Sequence, residues 1–173
     1  KTPEDFEVYP NRDSYPFMEQ YHFDPNWPVK TFVRGTLRLN GWAEAWKDVF
    51  TEIETLTGPE GDARLKDMSD GFWENNAYDE GEPDRVVLVV DLKAEKDGKA
   101  VWHKTYVMDA WGDAKGTAMG RLVSIPVSLA VEAVLKGTIA PGVSAAPSEP
   151  AMVADWMATI GGLCQHLDVV DNI

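Results

Sequence analysis

Cysteine and histidine are nearly missing from this sequence: Cys164 is the sole thiol, and His22, His103 and His166 lie far apart along 173 residues. A single cysteine excludes an internal disulfide, and no CxxC or HExxH spacing offers ligands to zinc, so no metal site is expected. Cations are scarce too, with 16 Lys and Arg against 29 Asp and Glu, giving a formal net charge of -13 and a pI near 4.5. Non-specific affinity for a phosphate backbone comes from clustered cations, which argues against nucleic acid as a partner. No apolar run approaches the roughly 20 residues of a membrane helix, so a soluble chain without a membrane partner is expected. The lone Cys164 fits a reducing compartment and a cytoplasmic location.

Nucleotide and nucleophile motifs are also wanting. Gly112, Gly116 and Gly120 are spaced by fours rather than as GxGxxG after a strand, so they read as turn and packing glycines, not as a phosphate loop. There is no Walker loop. The acidic run from Asp79 to Asp84 lacks the alternating ligands of a calcium loop and reads as a solvated turn. No nucleophile stands beside a base, so no catalytic residue is assigned, and the reacting groups of any enzyme containing this chain are expected elsewhere.

An apolar content of 44% can bury one core, and a single domain over 1–173 is the default. The chain starts at Lys1, not Met, with no signal-like segment after it, and is expected to be a piece of a longer protein. Along the chain, Phe6–Tyr9 suggests a short edge strand, and Ser14 is placed to cap a helix over 15–21. Alternation predicts a strand from Val29 to Leu39, and the Trp42, Trp46, Val49, Phe50, Ile53, Leu56 spacing predicts an amphipathic helix over 42–56. A short helix over 62–70 interrupts a loop from Thr57 to Pro83. The apolar run Val86–Val90 predicts a strand covered on both faces, joined through Lys96-Asp97-Gly98-Lys99 to a returning strand ending at Trp111, the two lying mid-sheet. A helix follows from about Met119 to Gly137 with Pro126 inside it, and after an irregular stretch a last helix runs from Pro150 through Leu167, weakened at Gly161-Gly162. The class is α+β, a mixed, largely antiparallel sheet covered by helices.

Two arginine phrases stand out in so acidic a chain: Tyr9-Pro10-Asn11-Arg12-Asp13-Ser14 and Arg34-Gly35-Thr36-Leu37-Arg38. A guanidinium presents a planar fork of donors that fits a carboxylate two bonds at a time. Arg34, Thr36 and Arg38 share one strand face, with the two arginines about 13 Å apart. Spacing leaves two readings open: a site for a long, multiply charged anion, or a basic face paired with acidic neighbours.

The same phrases, with Gly41-Trp42, EGEPDRVVL from Glu80, DAWGD at 109–113, GTAMGRLVSIPVSLAVEAVLKG at 116–137 and the stretch from Ile139 to Pro147, resemble in order the glutamate-forming saccharopine dehydrogenase (saccharopine reductase) family. The resemblance implies the second, substrate-binding domain of a larger oxidoreductase, glyceraldehyde-phosphate-dehydrogenase C-terminal-like in fold, following a Rossmann domain that binds NADP or NAD. It implies interconversion of saccharopine with glutamate and α-aminoadipate semialdehyde in lysine metabolism. Carried onto this sequence, the substrate-binding residues are Asn11, Arg12, Arg34 and Thr36, with the partners an amino-acid-derived multi-carboxylate, the Rossmann domain and a second copy in a homodimer. Saccharopine carries three carboxylates, which favours the anion reading for Arg12 and Arg34. Leu39-Asn40 departs from the aromatic and proline usual after RGTLR. The same resemblance is compatible with an enzyme for another amino acid or imine, of lysine or carboxy-polyamine type, or with a non-catalytic dimerisation or regulatory module.

Overall fold

A computed structural model describes residues 4–173. In chain order the elements are β1 (Phe6–Pro10), α1 (Pro16–Gln20), β2 (Gly35–Leu39), α2 (Trp42–Ala45), α3 (Lys47–Ile53), α4 (Gly58–Asn75), β3 (Arg85–Lys96), β4 (Lys99–Trp111), α5 (Ala118–Leu135), α6 (Pro150–Gly161) and β5 (His166–Asp171). The α+β class holds, but the strands form two antiparallel sheets, β1-β2 and β3-β4-β5, instead of one mixed sheet. Contacts gather these elements into two units: the chain up to Ser14 with Thr31–Glu82, and Tyr15–Lys30 with Pro83–Ile173.

In the first unit the expected strand 29–39 shortens to β2. Its ladder with β1 runs from Phe6↔Leu39 to Pro10↔Gly35 and stops where Pro10 lacks an amide to donate. Gly35 is required there, because a Cβ would meet Val8 Cγ1 at 3.0 Å and the Tyr9 carbonyl oxygen at 3.1 Å. The predicted helix 42–56 divides at Trp46, whose φ of -98° and ψ of 1° leave the helical region. Most of the supposed loop after Thr57 is the 18-residue α4. Its Gly, Asp and Glu content obscured an apolar stripe, Leu65, Met68 and Phe72, which faces Trp46, Val49 and Ile53. Trp46 meets Phe72 with ring centroids 5.0 Å apart.

The second unit is built on the β3–β4 hairpin, which turns through Asp97 (φ 51°) and Gly98 (φ 74°). Two successive positive φ values match the right-handed twist of the flanking strands, as the Asp-Gly pair foretold. Strand β4 is central and β3 is an edge, because β5 pairs along the other side of β4. The run Val86–Val90 is not covered on both faces: Leu88 and Val89 are each 46% exposed. The buried centre is Met108, Asp109 and Ala110 of β4 with Ala118 and Ala133 of α5. Inside it Arg85 forms a bidentate ion pair with Asp109, at 2.9 and 3.0 Å, and lies 5.0 Å over the Trp111 ring.

Two further expectations are corrected. The last helix stops at Gly161 with Gly162 as its cap, so the glycines end it instead of weakening its middle, and Leu167 belongs to β5. Cys164 lies in the intervening turn, not on a helical stripe; its thiol donates to the Ile160 carbonyl at 3.2 Å, and burial raises its pKa. Helix α5, despite the absence of an unbroken apolar run, is by length and composition long and apolar enough to cross a membrane.

Candidate functional site

The two arginine phrases meet in the first unit. Where the β1–β2 ladder runs out, the Asn11 amide still reaches the Arg34 carbonyl at 2.8 Å. Arg12 then takes a left-handed conformation, φ 62°, which costs a residue with a Cβ about 1 kcal/mol. That bend returns the chain so that the Ser14 hydroxyl accepts from the Arg34 amide at 2.9 Å. Arg34 thus holds both ends of the loop 11–14 through its own main chain. Helix α1 has Tyr15 at its cap position without a side-chain cap bond, because the expected capping hydroxyl is engaged on Arg34.

Of the four predicted site residues, Asn11 and Arg12 are exposed, while Arg34 and Thr36 are half-buried. The loop clasp brings Asn11, Arg12 and Arg34 to one end of the hairpin, and Thr36 follows two residues along, in register with Tyr9. Backbone strain at a non-glycine residue tends to collect where surrounding bonds over-determine it for a purpose. Here the bonds on either side of Arg12 do so.

Sequence reasoning missed the acid on this face. Glu7 shares the face of Tyr9 and stands opposite Arg38. Its carboxylate accepts from the Tyr9 hydroxyl at 2.6 Å, from the Gly41 amide at 2.6 Å and from the Ala43 amide at 3.0 Å. The Tyr9 bond, then the Ala43 amide, holds the Glu7 carboxyl below its usual range, and the same bond raises the Tyr9 phenol. Gly41, at φ 86°, makes the turn that points these amides back at Glu7. Trp42 stacks on from there, 5.2 Å from Tyr9 and 5.6 Å from Trp46, and Arg38 lies 5.4 Å over its ring. The signal for this arrangement was the Asn40-Gly41 turn with Trp42 behind it.

A groove of about 400 Å³ in the same unit is lined by Trp46, Val49, Ile53, Leu65, Phe72 and Trp73 with Met68, Ser69 and Asn76. It holds no charged side chain and none of the arginine phrases. The donors of the arginine phrases lie at the hairpin end and not at this apolar cleft.

The start of α5 does not offer the pyrophosphate of a nicotinamide cofactor a place. That helix end is already filled: Asp84 accepts from the Ala118 amide at 2.7 Å and the Met119 amide at 2.8 Å, and Thr117 from the Gly120 amide at 3.1 Å. The Met119 amide is the main cause of the lowered Asp84 pKa, so a carboxylate occupies the place an anion would take. A Cβ at Gly112 would lie 2.5 Å from Asp84 Oδ1, which gives that glycine a packing role. The acidic run is therefore more than a solvated turn, since its last member caps a helix. Among the described residues no group of three or more His, Cys, Asp or Glu side chains could hold a metal ion.

The model of the saccharopine dehydrogenase C-terminal domain family matches residues 1–162, from ahead of β1 to the end of α6. Neither the comparison with curated proteins nor that with solved structures gives a match.

Proposed function

The chain belongs to the saccharopine dehydrogenase C-terminal domain family, and from that premise we propose that it is the substrate-binding part of an oxidoreductase interconverting saccharopine with glutamate and α-aminoadipate semialdehyde. The observation that carries the reading is Arg34 bonding through its main chain to both Asn11 and Ser14, which sets two guanidinium-bearing residues around one loop. Arg12 and Arg34 each grip a carboxylate of the ligand, and Asn11 and Thr36 orient it by single hydrogen bonds. NADP or NAD would come from a Rossmann domain in the same longer chain, and no step on the cofactor falls to the residues described above. The reading places the protein in lysine metabolism, in the cytoplasm, with a second copy as partner.

Calorimetric titration with saccharopine tests it. The unaltered protein should bind, and Arg34→Ala should weaken binding by about 2 kcal/mol as a charge-assisted pair is lost. Unchanged affinity in that variant removes Arg34 from the site. This chain alone should show no NAD(P)-dependent saccharopine oxidation, and activity should need a cofactor-binding domain; turnover by the chain alone contradicts the division of labour.

A further inference from the structure

Helices α3 and α4 of the first unit border the groove of about 400 Å³. On α4 its lining recurs at Leu65, Met68, Phe72 and Asn76, a row about 16 Å long at helical rise. Trp46 at the start of α3, with Val49 and Ile53, supplies the opposite wall. Trp73 belongs to this lining and is nonetheless 77% exposed. A small-molecule site is enclosed and carries convergent polar groups, whereas this trough is open and offers only Ser69 and Asn76. Walls that repeat at helical spacing suit the side chains of a third helix, entering at i, i+3 or i+4 and i+7.

The chain's negative charge gathers around the same helices. Residues 44–82 hold twelve acidic against three basic side chains, a formal -9 of the whole chain's -13. Both cations of α4 are already engaged, Arg64 on the two Glu52 oxygens at 2.6 and 3.2 Å and Lys66 on Asp70. Asp62 falls in helical line with Lys66, Ser69 and Trp73, so an acid stands in the row that carries two groove residues. A second copy seated here would set this negative field against itself, and an anionic membrane surface is repelled in the same way. A basic segment is attracted, and the field speeds its approach.

We infer that the α3–α4 groove is a docking site for a basic amphipathic helix of a partner protein, whose apolar side chains enter beside Trp73 while its Lys and Arg meet the surrounding acids. No residue of the arginine loop lines the groove, so the inference stands apart from the substrate reading. The probe is a fluorescently labelled peptide of about 18 residues, made of Leu and Lys with the leucines on one helical face, titrated with the whole chain and followed by anisotropy. It should bind, gain helicity by circular dichroism and weaken as salt rises. Trp73→Ala, at an exposed position where truncation spares the fold, should weaken binding about tenfold or more, and so should scrambling the peptide at fixed composition. Leu135→Ser, on the exposed end of α5 in the second unit, should leave affinity unchanged. A peptide with Glu in place of Lys should not bind. Equal binding of the ordered and scrambled peptides, binding of the Glu peptide, or unchanged affinity in Trp73→Ala overturns the proposal. Sedimentation of the protein alone as a dimer that Trp73→Ala breaks would assign the groove to a second copy and overturn it too.

Discussion

The main-chain amide of Arg34 donates to the Ser14 hydroxyl at 2.9 Å, so a serine placed to begin a helix closes a loop around an arginine. The bond joins residues 20 positions apart and, with the Asn11 amide on the Arg34 carbonyl, holds the left-handed bend at Arg12.

Ser14→Ala should therefore destabilise the first unit by about 1 kcal/mol, since the Arg34 amide loses its acceptor in a half-buried place. Denaturant unfolding measures the loss. Ligand affinity should fall in parallel, and Ser14→Thr, which keeps a hydroxyl, should restore most of both. An alanine variant as stable as the parent contradicts the clasp.

Arg12→Gly separates stability from binding. Glycine adopts φ 62° freely, so the variant should be no less stable than the parent and more stable by up to about 1 kcal/mol. Saccharopine affinity should nevertheless drop about tenfold with the guanidinium gone. A melting temperature that falls with no change in affinity would show the arginine to be structural.

Removing one member of the Arg85–Asp109 pair should be costly. Asp109 is only 8% exposed, and Asp109→Ala leaves the Arg85 charge without its partner at a loss of about 3 kcal/mol. The paired change Arg85→Met with Asp109→Ala should recover part of that, as equilibrium unfolding of the single and double variants would show.

The acid limb of stability should carry the mark of Glu95. Lys30 first, then Lys93, lowers its pKa from the ordinary 4.5 to about 2. A carboxyl depressed in the folded state contributes stability above its unfolded pKa and loses that contribution as pH falls through the folded one. Between pH 4.5 and about 2 the protein should lose stability, and Lys30→Met should flatten this part of the profile. The pair is exposed, so the difference between parent and variant should shrink in high salt. Identical acid profiles with and without Lys30 would refute the assignment.

Legibility in the sequence followed the range of the interaction. The β3–β4 turn was readable because Asp97-Gly98 sets its own backbone angles, and α5 because its apolar period lies within one segment. The extent of α4 was hidden, because its apolar stripe is narrow and its polar composition resembles that of a loop. The start of strand β5 was misread as a helix end, because Leu163, Cys164 and Leu167 continue a helical spacing past Gly161; Leu163 and Cys164 lie in the turn that follows, and pairing with Met108 of β4 draws Leu167 out of the helix.

What the sequence determined alone was the α+β class, the hairpin of the second unit and the presence of guanidinium groups at Arg12 and Arg34, since those follow from local angles, period and residue chemistry. What the tertiary structure decided was which groups are spoken for: Ser14 on the Arg34 amide, Glu7 on Tyr9 and the Gly41 turn, and Arg38 over the Trp42 ring. The Ser14 and Gly41 bonds depend on chain segments distant in sequence being brought within hydrogen-bond distance, and periodicity within one segment carries no information about that.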